Sequence, residues 1–122
     1  MDARRIFGNN GEDLGTKYLK NLGYEILERN FLTKYGEIDI IAKYKNSIRF
    51  VEVKSRKDIE NVGILELVSR AKQRRIQNTA TVWLNSKKIN LFECDFGFDY
   101  LGIVYHENSD PVVTFVRDFL SR

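Results

Sequence analysis

Three strand-like segments follow one another between Tyr24 and Lys54 with only short polar turns between them, and this succession constrains the fold most. Tyr24 to Phe31 places Ile26 among alternating charges, Glu37 to Lys43 carries Ile38, Ile40 and Ile41, and Ile48 to Lys54 carries Phe50, Val51 and Val53. The turns, Thr33 to Gly36 and Tyr44 to Ser47, are too short for a crossover, so neighbouring strands pair antiparallel. Upstream, Asn9 and Asn10 before Gly11-Glu12-Asp13 read as a capped helix start, since amides cap and acids favour the positive end of the helix dipole. Leu14, Tyr18, Leu19 and Leu22 recur at helical spacing, and Gly23 supplies the stop. Downstream, a loop from Ser55 to Gly63 leads into a long helical stretch, roughly Ile64 to Ser86, with Ile76, Ala80, Trp83 and Leu84 on one stripe. Strand character returns at Phe98 to Tyr105 and Val112 to Val116. The order predicts an α/β fold, a mixed β-sheet flanked by α-helices. A chain of 122 residues fits a single domain, residues 1–122.

Charge adds a second constraint. The formal net charge is only +3, yet between Glu66 and Glu93 there is no acid, while Arg70, Lys72, Arg74, Arg75, Lys87 and Lys88 all fall there. Such a stripe suits a phosphate backbone, although from charge alone a solvated helix face is the favoured explanation. Cys94 is the only cysteine, which excludes an internal disulfide and a cysteine zinc site and leaves a plain half-buried thiol. The start of the chain shows no secretion signal and no stretch approaches a membrane span, so a cytoplasmic protein is expected. Trp83 reads as core, and His106, the only histidine, as a solvated loop residue.

The chemistry concentrates in Gly36-Glu37-Ile38-Asp39 and Phe50-Val51-Glu52-Val53-Lys54. Side chains alternate along a strand, so Glu52 and Lys54 share one face while Val51 and Val53 share the other. Antiparallel pairing brings Asp39 close to Glu52. Two adjacent carboxylates repel unless a cation bridges them or one takes a proton. A hard divalent ion, Mg²⁺ or Mn²⁺, resolves that conflict through oxygen ligands. Lys54 is then placed to orient a water or balance charge on a phosphate. The plainer alternative is a solvated Glu–Lys pair on an exposed sheet face. Lys72 and Gln73, one turn before Ile76, are placed to reach the same side.

Gly8-Asn9-Asn10-Gly11-Glu12, Tyr18-Leu19, Gly23-Tyr24, Ile26-Leu27, Asn30-Phe31, Gly36-Glu37-Ile38-Asp39, Phe50-Val51-Glu52-Val53-Lys54-Ser55-Arg56 and Lys72-Gln73 together resemble the YraN-like family of small bacterial proteins. The resemblance runs from about Gly8 to Ile103. It implies a restriction-endonuclease-like fold related to the archaeal Holliday-junction resolvases of the PD-(D/E)XK nuclease superfamily. By position it implies that Asp39 is the first strand acid and that Glu52 and Lys54 are the Glu-X-Lys pair. It further implies that Glu12 joins the metal site and that Gln73 borders it. Metal ligands are then expected from Asp39, Glu52, Glu12 and the Val53 carbonyl. The sequence departs from the family at Gly15, usually alanine, and at Gly97, where an arginine is common before Phe98-Asp99.

The expected function is a Mg²⁺- or Mn²⁺-dependent nuclease acting on DNA, including branched or damaged forms, with RNA not excluded. Arg70, Lys72, Arg74, Lys87 and Lys88 are the expected nucleic-acid contacts, and a homodimer would suit an enzyme handling two strands. The alternative is a non-catalytic nucleic-acid-binding or adaptor protein that retains the fold.

Overall fold

Helix α1 (Ala3–Asn21) ends where Gly23 adopts φ +95, a conformation that glycine enters without penalty. The N–H of Tyr24 returns to the Leu19 carbonyl at 2.9 Å and that of Gly23 to Lys20 at 3.0 Å, so two carbonyls at the helix end are satisfied. The computed structural model describes the backbone of residues 3–57, 68–90 and 92–122, with side chains from residue 11 onward in those spans. The expected helix start at Asn9 and Asn10 is corrected: both lie inside α1, which begins at Ala3. The cost of glycine and asparagine in a helix is only about 1 kcal/mol or less each, too weak a preference to fix where a helix starts.

The chain continues through β1 (Glu25–Thr33), β2 (Gly36–Tyr44), β3 (Ser47–Lys57), α2 (Arg70–Ser86), β4 (Asp95–His106) and β5 (Ser109–Leu120). The five strands lie in the order β1-β2-β3-β4-β5. β1, β2 and β3 pair antiparallel, as their short turns require; β4 joins β3 in parallel, and β5 closes the sheet antiparallel to β4. The parallel step is the one spanned by α2. The expected loop from Ser55 is also corrected: β3 continues to Lys57, because β4 pairs with it residue for residue as far as Lys57 and Tyr105. His106 ends β4, where it pairs with Ser109, and is half-buried rather than a loop residue. Helix α2 begins at Arg70 behind Ser69, whose side chain accepts from the Lys72 N–H. The expected earlier start, from Ile64, lies outside the described residues.

One helix covers each face of the mixed sheet, which gives an α/β arrangement. On the α2 side Ile38, Ile41, Phe50, Ile76, Trp83, Phe98 and Tyr100 form the core. On the α1 side Leu19, Tyr24, Ile40, Val51, Leu101 and Ile103 do so. Trp83 is core as its stripe implied, with its indole N–H donating to Glu28 at 3.2 Å. Cys94 is half-buried, its thiol directed at the Asn46 and Asp95 carbonyls. No helix of the described residues is long and apolar enough to cross a membrane.

Candidate metal centre

Strand alternation fails at one place, and the acids gather there. Ile38 belongs to the α2-side core and Ile40 to the α1-side core, although residues two apart ordinarily share a face. The switch falls at Asp39. Pairing of Arg29 with Ile40 and of Phe31 with Ile38 sets Asn30 opposite Asp39, and Asn30 holds φ +54, a conformation more readily adopted by asparagine than by most residues. The β2–β3 ladder runs from Tyr44 and Ser47 to Ile40 and Val51. Beyond that point the Asp39 carboxylate takes the role of a backbone acceptor, receiving the Val53 N–H at 2.8 Å. Asp39 is thereby fixed at a notch between two diverging strands.

One carboxylate oxygen from each of Glu12, Glu37 and Asp39 lies within 4.8 Å of the others. Glu12 arrives from α1; Glu37 and Asp39 come from β2. The Asn30 amide spans two of them: with its nitrogen turned inward, it donates to Glu12 Oε1 at 2.8 Å and Glu37 Oε1 at 2.9 Å. Burial raises the Asp39 pKa well above its ordinary 3.8, and the charges of Glu52, Glu12 and Glu37 add to the rise, against the Val53 hydrogen bond. The Glu12 pKa is raised as well, first by burial and then by Glu37, with Arg29 opposing. Carboxylates pressed together in this way take up either protons or a cation. Three anionic oxygens at that separation, with no thiol or imidazole in the group, match the donor preference of Mg²⁺ or Mn²⁺.

Glu52 stands differently from the sequence expectation. Its side chain is 6% exposed and is paired with Lys72 of α2, Nζ to Oε1 at 2.7 Å. Its charge reaches Asp39, yet it is not one of the three clustered acids. Lys54 is exposed on the same strand. Gln73 donates from its side chain to the Val68 carbonyl at 3.0 Å, which secures the start of α2. Of the basic residues, Arg70, Arg74, Lys87 and Lys88 are exposed, and Lys87 lies over the Trp83 ring.

Glu37 and Asn30 were not read as site features from the sequence, whereas Lys72 was placed on the side of the acids, where it pairs with Glu52. Gly-Glu-Ile-Asp does carry a signal for Glu37, since it stands two residues from Asp39. The role of Asn30 depends on a cross-strand register and has no local signature.

A second polar network lies between β3, β4 and β5. Arg49 donates Nε to Asp99 at 3.0 Å and Nη2 to both Asp99 and Asp118 at 2.5 Å, while the Tyr24 hydroxyl reaches Asp99 at 3.3 Å. Gly97 is the register partner of Arg49, and a Cβ there would lie 2.7 Å from the guanidinium nitrogens. Gly97 therefore leaves the space that the Arg49 guanidinium occupies.

A model of the family described as uncharacterised protein family UPF0102 matches residues 11–103. The chain is 42% identical over 101 residues to a UPF0102 protein of Vibrio campbellii, covering 83% of each. It is 40% identical over 100 residues to one of Caldicellulosiruptor saccharolyticus, covering 82% of this chain and 83% of the relative. It is 42% identical over 118 residues to one of Clostridium botulinum, covering 95% and 94%. The matched span contains Glu12, Asn30, Glu37, Asp39, Glu52 and Lys72, so the whole notch lies inside it, and the chain belongs to the UPF0102 family.

Proposed function

We propose that this chain is a divalent-metal-dependent nuclease of the restriction-endonuclease-like type, hydrolysing phosphodiester bonds of DNA. The observation that carries the reading is the notch. Asp39 is held by the Val53 N–H where β2 and β3 part, with Glu12 and Glu37 gathered around it and Glu52 close enough to raise its pKa. The mixed sheet with one helix on each face and the acids at a strand divergence support this reading.

Asp39, Glu12 and Glu37 would hold the ion, with Glu52 and the Val53 carbonyl as further oxygen donors. A bound Mg²⁺ or Mn²⁺ supplies Lewis acidity towards a phosphoryl oxygen and acidifies its water. Lys54, exposed two residues beyond Glu52, has the reach to orient that water or to meet the developing phosphate charge. Gln73 fixes the N-terminal turn of α2, from which Arg70 and Arg74 approach the backbone of the substrate. Lys87 and Lys88 extend the contact along the helix. A homodimer would present two notches to two strands.

The test is cleavage of labelled linear, nicked, flapped and four-way DNA with Mg²⁺ or Mn²⁺, comparing wild type with Asp39→Ala. Metal-dependent cutting that Asp39→Ala abolishes supports the reading. Nucleic-acid binding without cutting of any substrate would turn the assignment to the binding protein.

A further inference from the structure

A carboxylate as enclosed as Glu52 requires a partner, because an isolated buried charge is strongly disfavoured. Lys72 supplies it at 2.7 Å. The two ends of this pair differ. Glu52 is 6% exposed, whereas the Lys72 side chain is 34% exposed, so the ammonium has a route to water that the carboxylate lacks. Tyr100, the register partner of Glu52 on β4, is itself buried, with its pKa pushed up to about 12, first by burial. No replacement hydrogen bond from Tyr100 to Glu52 is formed among the described residues. The charge of Glu52 is therefore balanced by a removable cation on one side while it raises the pKa of Asp39 on the other.

We propose that Lys72 is the exchangeable counter-cation of Glu52, released to solvent when a divalent ion is shared between Asp39 and Glu52. The proposal rests on reading the notch as a divalent-ion site. The ammonium and the ion would compete for the same carboxylate, and an ion about 2.1 Å from that oxygen would repel an ammonium 2.7 Å from it. Ion binding and Lys72 release are then one equilibrium. By linkage, whatever factor the ion takes from the Lys72–Glu52 pair is the factor by which that pair weakens ion binding.

Calorimetric titration of the full chain with Mn²⁺, free of nucleic acid, tests this. Lys72→Met should bind Mn²⁺ about tenfold more tightly than wild type, within the usual range of coupling between sites. Lys72→Arg keeps the charge and should stay near wild type, and Glu52→Gln added to Lys72→Met should erase the gain. Equal or weaker binding by Lys72→Met, with wild type still binding, overturns the proposal and leaves the metal site standing. No Mn²⁺ binding by either protein removes the metal site and the proposal together. Should Lys72→Met fail to fold, wild type carries the test through the Lys72 ammonium resonance, which Mg²⁺ should shift or broaden by solvent exchange. An ammonium signal unchanged at saturating Mg²⁺ overturns the proposal.

Discussion

At Asp39 two demands on one side chain conflict. The carboxylate completes the sheet by accepting the Val53 N–H, yet burial and the charges of Glu52, Glu12 and Glu37 penalise its ionised form. Its folded pKa is raised, so folding favours the protonated acid. The stability this group contributes is fully present below its unfolded pKa, near 3.8, and is lost as pH rises through the folded value. Asp39→Asn keeps an oxygen for the Val53 N–H and removes the charge. It should therefore raise metal-free stability at neutral pH by about 1 kcal/mol, the scale of gains commonly found at strained functional sites. The advantage should shrink on acidification, and Mg²⁺ should stabilise wild type alone. Denaturant unfolding across pH, with and without Mg²⁺, measures all three. Asn30 gives a parallel case: Asn30→Asp adds a fourth carboxylate beside Glu12 and Glu37. That variant should unfold more easily without metal and gain more from Mn²⁺ than wild type. Equal Mn²⁺ stabilisation of the two would place the Asn30 amide outside the ion's reach.

Helix α1 shows at the element scale what local sequence could and could not convey. Its stop at Gly23 was legible because a left-handed residue is a local requirement; its start was not, because α1 runs through Gly8, Asn9 and Asn10, residues of weak helix propensity. The first three strands were legible from turns and alternation, and β4 and β5 were found but shortened, since their ends are set by partners rather than by pattern. The same dependence on partners hid the role of Asn30, and it hid the Arg49–Asp99 pair, which exists only through the parallel register. Two glycines of α1, Gly11 and Gly15, test how closely the helix is seated. A Cβ at Gly15 would meet Leu101 at 3.4 Å and Val53 at 3.6 Å, an ordinary contact. Gly15→Ala should therefore gain about 1 kcal/mol of helix propensity. A Cβ at Gly11 would lie 2.8 Å from both Cβ and Oγ of Ser55, too close without movement of the strand. Gly11→Ala should cost about 2 kcal/mol. Because Glu12 is its neighbour, Gly11→Ala should also weaken Mn²⁺ binding. Thermal unfolding and the same titration read the two effects, and stabilisation by both substitutions would contradict the close seating.

For the molecule as a whole, the question is where a polyanion would lie relative to the notch. The basic stripe of the sequence divides in three dimensions. Lys72 is committed to Glu52, Arg70 and Arg74 stand exposed on the first turns of α2, and Lys87 and Lys88 follow its last residue. A helix of 17 residues is about 25 Å long, so the two basic pairs are separated by most of that length. The N-terminal pair has two advantages. It lies beside the residue that touches Glu52, and it shares the positive end of the helix dipole, where phosphate is favoured. Lys87, by contrast, rests over the Trp83 ring. Each phosphate contact contributes about 0.9 to the slope of log affinity against log salt on duplex DNA. Arg70→Gln with Arg74→Gln should accordingly lower that slope by about 1.8 and reduce affinity uniformly across sequences. Lys87→Gln with Lys88→Gln should lower it by less. Binding titrations between 50 and 200 mM salt, without divalent ions, distinguish the pairs at about the resolution required. If the C-terminal pair carries the larger share, DNA lies along the far end of α2, and a phosphate there is too distant from Asp39 to be the one that is cut.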